Sequence, residues 1–272
     1  MGTVALCGTK DKSVWRGTLR QGAGAMDLGR VRLIVSDVDG TLTVSRRSFR
    51  LSCRALSAIE KLEECGVRVG LASGNSLPVL AGLARYLGAS GPIIAENGCL
   101  AMARPGGVIE LCRSSAREAV EVIGRRLGLE PSWQNKFRVF DHALVVVGKP
   151  REYVKELTRR ANKLLKELGY RNLYAFSSGY AIHIHPVEAD KGVALRRVVE
   201  HMGLDRSVVA AIGDSVLDLP LLREAGVAVA VGDADEELRK VAKLVVRSEA
   251  GEGFAEFAEM VLRARGCGQR GD

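Results

Sequence analysis

The chain has no apolar run near the roughly 20 residues that crossing a bilayer requires, so no membrane partner is expected. The N-terminal stretch has no apolar block ahead of a small-residue cleavage site, so no secretory signal is expected and a cytoplasmic location is. None of the six cysteines (Cys7, Cys53, Cys65, Cys99, Cys112, Cys267) forms a C-x-x-C pair, which argues against a thiolate zinc site or a redox dithiol. Free cytosolic thiols are the expectation; disulfides would fit a hyperthermophilic source. Asparagine and glutamine total only 8, which fits a thermophile or a biased genome. There is no internal repeat and no low-complexity tract.

What is present is an ordinary globular composition: 272 residues, 47% hydrophobic and 26% charged, enough for one large domain or two modest ones. The formal charge is +8, which alone would suggest an anionic partner. Its distribution argues against a nucleic-acid footprint. Residues 1–30 carry +3 and 261–272 carry +2; residues 31–107 carry +3, 108–185 carry +6 and 186–260 carry −6. A basic middle beside an acidic segment suits a small anion drawn to a cleft between them.

Five continuous apolar runs read as strands buried on both faces of a parallel sheet: Val31–Val35, Val67–Ala72, Ile93–Ala95, Val208–Ile212 and Val227–Val231. Helical periodicities at 52–64, 76–87, 191–202 and 253–264 alternate with them, the α/β pattern of crossover units. Ser76 and Pro78 read as the cap and first-turn proline of the second helix. Between 108 and 185 the pattern changes to α-β-α-β-β. It opens on a Ser115-x-x-Glu118 capping box and includes an amphipathic helix at 151–168 with Val154, Leu157, Ala161, Leu164 and Leu168 on one face. This segment reads as a cap domain inserted into a core made of 30–107 and 186–265. Residues 1–29 read as a disordered extension and 266–272 as a flexible tail.

Three of the buried strands run into polar residues: Asp37-Val38-Asp39-Gly40-Thr41, Ser73-Gly74-Asn75, and Gly213-Asp214-x-x-x-Asp218. Open α/β sheets bind ligands at the carboxyl ends of their strands, so these groups should converge. A carboxylate such as Asp37 can be a nucleophile, and Asp39 can serve as general acid and then base. Four carboxylates with Asp214 and Asp218 need a cation among them, and Mg2+ suits hard oxygen ligands. Ser73, Gly74, Asn75 and Lys191 could hold phosphoryl oxygens. Lys191 follows Asp190, a predicted N-cap, at a helix start where an anion is already favoured. An alternative for Asp214 and Asp218 is helix capping, and for Asn75 capping of the next helix. Glu96 and Asn97 end another strand at this edge, and His183 and His185 share one face of a strand.

In order and spacing, Asp37-Val38-Asp39-Gly40-Thr41-Leu42, Ser73, Lys191 and Gly213-Asp214-x-x-x-Asp218 resemble the four motifs of the haloacid dehalogenase (HAD) superfamily of phosphatases. The insertion between the second and third motifs resembles the compact α/β cap (C2-type) of that superfamily. Ser90-Gly91-Pro92-Ile93-Ile94-Ala95-Glu96-Asn97-Gly98 and Ser178-Gly179-Tyr180-Ala181-Ile182-His183-Ile184 look like archaeal-type phosphoglycolate phosphatases. The resemblance implies a Rossmann-like core and Mg2+-dependent hydrolysis of a small anionic phosphomonoester, 2-phosphoglycolate, through an aspartyl-phosphate. It implies Asp37 as nucleophile and metal ligand, Asp39 as acid/base with its carbonyl on the metal, Lys191 on phosphate, and Asp214 and Asp218 at the metal. Two residues depart from the pattern: Ser73 stands where many relatives have Thr, and Leu217 where many have Asn. A sugar-phosphate phosphatase, a phosphotransferase or mutase, and a non-catalytic Mg2+-binding protein are the alternatives. A homodimer is left open.

Overall fold

The structure is a computed structural model that describes residues 27–104 and 106–267. Most of the expected N-terminal extension and C-terminal tail, and Cys7, lie outside those residues. Leu28–Arg30, which straddle the expected end of the extension at residue 29, form a 3-10 turn, and Arg265 donates to the carbonyls of Gly29 and Val31 at 3.1 and 3.0 Å.

The chain first lays down β1 (Leu33–Asp37), α1 (Cys53–Glu64), β2 (Arg68–Ala72), α2 (Leu77–Tyr86) and β3 (Ile93–Ala95). The hairpin of β4 (Leu100–Met102) and β5 (Val108–Glu110) follows. A second unit holds α3 (Arg117–Leu127), β6 (His142–Val145), α4 (Arg151–Glu167), β7 (Leu173–Ser177) and β8 (Ala181–Pro186). The chain then returns through α5 (Lys191–His201), β9 (Val209–Gly213), α6 (Leu219–Glu224), β10 (Val227–Ala230), α7 (Glu236–Val241), β11 (Leu244–Val245) and α8 (Ala250–Ala264).

The larger sheet has the order β11-β10-β9-β1-β2-β3-β4-β5. It is parallel from β11 to β3, and the β4–β5 hairpin adds an antiparallel edge. Every residue of β1, β9 and β10 is buried, which is why these strands read as unbroken apolar runs: helices cover both faces. The hairpin was missed in the sequence because its strands are three residues each, too short to show a period. The smaller sheet, β6-β8-β7, is antiparallel and backed by α3 and α4. It has its own apolar cluster, including Val120, Ile123, Leu144, Leu157, Ala161 and Ile184, apart from the main core. In α4 the buried stripe is Val154, Leu157, Ala161 and Leu165, with Leu164 and Leu168 only partly covered. The Ser115–Glu118 capping box does not form. Ala116 is the N-cap, and Ser115 Oγ instead donates to the Val139 carbonyl at 2.6 Å. Among the described residues, no helix is long and apolar enough to cross a membrane.

The expectation of free thiols is corrected for four cysteines. Cys65 bonds Cys267, tying the end of α1 to the end of α8 across 202 positions, and Cys99 bonds Cys112 across the β4–β5 hairpin. Cys53 is free and exposed. Cross-links of this kind contribute about 2–4 kcal/mol each, chiefly by restricting the unfolded chain. Reduction should therefore lower the unfolding midpoint without altering the native fold. Equal denaturant midpoints for reduced and oxidised protein would contradict this.

Candidate active site

Strand β1 ends at Asp37, and the chain turns at once through Val38-Asp39-Gly40. Gly40 has a φ of 89°, and a Cβ there would lie 2.5 Å from Asp214 Oδ2, so only glycine lets the first-motif turn meet the end of β9. Gly213 plays the matching part beneath Asp218, where a Cβ would lie 2.6 Å from the carboxyl group. Since β1 and β9 pair directly, Asp37, Asp214 and Asp218 are delivered to one point. Each offers a carboxylate oxygen within 4.8 Å of the others, and all three are buried.

Two cations face this cluster. Lys191, the first residue of α5, is 5% exposed and reaches Asp37 Oδ1 at 2.6 Å and Asp218 Oδ1 at 2.7 Å. Its helix starts there because Asp190 accepts from the Val193 amide at 2.8 Å, the expected N-cap. Arg46, in the loop after the first motif, sets Nε on Asp214 Oδ2 at 2.7 Å, Nη2 on Asp235 at 2.9 Å and Nη1 on the Asp233 carbonyl at 3.1 Å. Asp218 splits its two oxygens between backbone amides and the ammonium. Oδ2 accepts from the Asp214 and Ser215 amides at 3.2 Å, while Oδ1 faces Lys191.

The electrostatics are those of an underneutralised anionic pocket. Burial, then the charge of Asp218, outweighs Lys191 and holds the Asp37 carboxyl well above its ordinary range. Burial and Asp218 push Asp214 up to about 7. Lys191 is held above its ordinary value: burial works against its charge, but the carboxylates of Asp218 and Asp37 win. Three hard carboxylates packed against bare glycine Cα atoms fit a divalent cation of the Mg2+ class, with Asp37, Asp214 and Asp218 as the groups that would hold it.

Asp39 is half-buried beside the cluster. Burial raises its carboxyl, against the pull of Lys191 and of a hydrogen bond from Asn75. Ser73 ends the second-motif strand and is 2% exposed; its Oγ accepts from the Asn75 amide at 3.1 Å and from Asn75 Nδ2 at 2.9 Å. Gly74 is half-buried in the same turn, its carbonyl held by Arg138 Nη2 at 2.7 Å. Ser76 takes the N-cap position of α2, but its hydroxyl makes no cap bond, and Asn75 turns toward Ser73 rather than the helix. The eight residues expected to act on phosphate or metal thus gather at the carboxyl ends of the central strands. Sequence reasoning missed Arg46, which sits in an aperiodic loop beside Arg47, and the contributions of the smaller unit.

Those contributions form a seam. The Glu96 carboxylate accepts the backbone amides of Val139, Phe140 and Asp141. Asp141 is wholly buried and accepts from Arg138 at 2.9 Å and Asn97 at 3.0 Å. His183 and His185 meet it through Nδ1 at 2.7 and 2.9 Å. The two histidines are thus absorbed by the seam. Tyr180 of the β7–β8 turn reaches across to donate to the Arg46 carbonyl at 2.8 Å and packs on Phe49. Trp133 and Phe137 are exposed.

The seam carries a pH dependence. Burial alone would raise Asp141, but His183, His185 and Arg138 outweigh it and hold the carboxyl well below its usual range. Burial would lower His185, but the hydrogen bond and charge of Asp141 raise it. Asp141 therefore stabilises the fold above its unfolded pKa and loses that effect only in acid. His185 stabilises below its unfolded value near 6.5, and its part is lost as pH rises through the raised value. The penalty of Asp141→Asn, about 3–5 kcal/mol for breaking a buried pair, should thus be greatest between roughly pH 4 and 6.5 and shrink toward alkaline pH. Denaturant melts of both proteins across pH check this; a penalty that grows above neutrality would contradict it.

A mostly parallel sheet with carboxylates at the ends of adjacent strands, a lysine at a helix start and a second α/β unit packed beside them is the frame of a phosphomonoester hydrolase. The chain belongs to the haloacid dehalogenase-like hydrolases, whose family model matches residues 34–125 and 129–257. It is 39% identical over 233 residues to a phosphoglycolate phosphatase of Metallosphaera sedula, covering 85% of this chain and 99% of that protein. It is 40% identical over 236 residues to one of Pyrobaculum neutrophilum, covering 87% and 98%. A crystal structure of a Thermoplasma acidophilum protein superposes with a TM-score of 0.73 at 26% identity, covering 85% of this chain and 98% of that one.

Proposed function

We propose that the protein hydrolyses 2-phosphoglycolate to glycolate and phosphate, with Asp37 as the nucleophile. The observation that carries the chemistry is the buried Asp37 carboxylate, held 2.6 Å from Lys191 at the end of β1, with Asp39, whose carboxyl burial raises, two residues on. The relatives named phosphoglycolate phosphatases, 36–40% identical, support the substrate.

In this reading Asp37 attacks phosphorus in line and the bond to the leaving oxygen breaks. Lys191 meets the charge that builds on the phosphoryl oxygens. Asp39, raised by burial, gives its proton to the departing alkoxide. The same carboxylate then takes a proton from a water molecule, whose oxygen attacks the aspartyl-phosphate and frees Asp37 and phosphate. A bound Mg2+, held by Asp37, Asp214, Asp218 and the Asp39 carbonyl, would offset the repulsion between an anionic nucleophile and an anionic substrate. The segment 108–185 serves as the cap, with Tyr180 at the mouth, and selects the leaving group. The substrate is a small metabolite, and we place the enzyme in the cytoplasm where such metabolites arise.

Initial rates with Mg2+ on 2-phosphoglycolate against a panel of sugar phosphates test the assignment. A kcat/KM for 2-phosphoglycolate at least tenfold above the panel is expected. A sugar phosphate turned over faster would overturn the substrate while leaving the chemistry intact.

A further inference from the structure

The loop carrying Ser73 is held from outside by a chain of amides whose direction can be read from its first link. The backbone N–H of Ser76 donates to Gln134 Oε1 at 2.9 Å. A backbone N–H is a donor in every state, so this bond decides which end of the Gln134 carboxamide faces Ser76. The other end, Nε2, is then a donor, and it meets Asn75 Oδ1 at 2.8 Å. That contact decides Asn75 in turn: its oxygen faces the inserted unit and its Nδ2 faces the site, 2.9 Å from Ser73 Oγ. The Asn75 backbone N–H donates to the same oxygen at 3.1 Å. Both lone pairs of the Ser73 hydroxyl are therefore in use as acceptors, and its proton is left to donate.

We propose that Gln134 is a positioning residue: acting through Asn75, it commits the Ser73 hydroxyl to donate a hydrogen bond to the phosphoryl group. With Asn75 turned over, its oxygen would face Ser73, the hydroxyl would donate to that oxygen, and the phosphoryl group would lose the bond. Gln134 belongs to the 3-10 turn Trp133–Phe137 of the inserted unit, so the phosphate site acquires its working polarity only when that unit is seated on the core. Arg138, one residue past the turn, reinforces the seating through the Gly74 carbonyl. The inference rests on the phosphatase reading above and adds a role for a residue outside the four motifs.

The test compares Gln134→Glu and Gln134→Ala, each with and without Asn75→Ala, by kcat, KM and the binding of inorganic phosphate with Mg2+ present. Glutamate still accepts from Ser76 but presents an acceptor to Asn75 Oδ1, so the Asn75 amide turns over. Phosphate binding should weaken about tenfold, the worth of one such hydrogen bond. Alanine frees Asn75 without reversing it, and the loss should be smaller. In the Asn75→Ala background, Gln134→Glu should change phosphate binding by less than about twofold, since the relay has lost its target. Equal losses in the two single variants, no loss in either, or losses that multiply in the double variant would show a merely structural role and overturn the proposal. Unchanged denaturation midpoints separate these outcomes from misfolding. If the parent protein neither hydrolyses phosphomonoesters nor binds phosphate with Mg2+, the phosphatase reading itself falls.

Discussion

Asp37→Asn should leave a folded protein with turnover reduced on the order of 10^4-fold or more, because the amide can neither attack phosphorus nor leave as a carboxylate. The substitution nearly preserves shape, and it removes a carboxylate whose charged form is disfavoured by burial first and then by the neighbouring Asp218. The metal-free variant should therefore unfold at the same denaturant concentration as the parent, or a higher one, near neutral pH. Loss of activity together with retained stability is the signature of a residue held in place by the fold at a cost and used in the chemistry. Measuring both quantities on one preparation makes the test. A variant that keeps a tenth of the parent rate would remove Asp37 from the reaction.

Lys191→Met should do the opposite to stability. The ammonium lies within 2.7 Å of both Asp37 and Asp218, and all three groups are nearly or wholly inaccessible to water. Removing it strands two buried carboxylates, a change that costs about 3–5 kcal/mol. The upward shifts at Asp37 and Asp214 limit that cost, since these groups can take up protons instead. Metal-free Lys191→Met should therefore be destabilised most at alkaline pH, where protonation no longer helps, and saturating Mg2+ should recover much of the loss by mass action. Turnover should fall about 10^2- to 10^3-fold even with metal bound, as for the removal of one donor to a developing oxyanion. Denaturant melts with and without Mg2+, and rates with it, check both parts. A metal-free variant as stable as the parent would mean that the carboxylates do not depend on Lys191.

Much of the site was legible because its residues interrupt strong local patterns. Asp37, Ser73 and Asp214 each come at the end of a short apolar run rich in β-branched residues, whose length and flanking turn residues mark it as a strand of a covered sheet. Lys191 stands after Asp190, and the cap bond that this order suggested is made. What stayed hidden is what tertiary contact decides. Arg46 differs in no local respect from Arg47, yet it bonds a carboxylate 168 positions away at 2.7 Å while Arg47 stays outside. The Cys65–Cys267 pairing spans 202 positions, and no spacing rule chooses it. Ser115 and Glu118 have the spacing of a capping box, but the helix starts one residue later, with Ala116 as its N-cap, and Ser115 Oγ accepts from the Arg117 amide while donating to the Val139 carbonyl. Gln134, Arg138 and Asp141 lie in a stretch without period, and each has a partner on the core, Ser76 and Asn75, Gly74, and Asn97 respectively.

If phosphate passes through Asp37 on its way to water, the stereochemical course at phosphorus records it. A phosphomonoester made chiral with oxygen isotopes, hydrolysed by the Mg2+-loaded enzyme, should release phosphate with retained configuration, because two in-line displacements invert it twice. Net inversion would mean that water attacks the substrate in a single step, and would contradict the account.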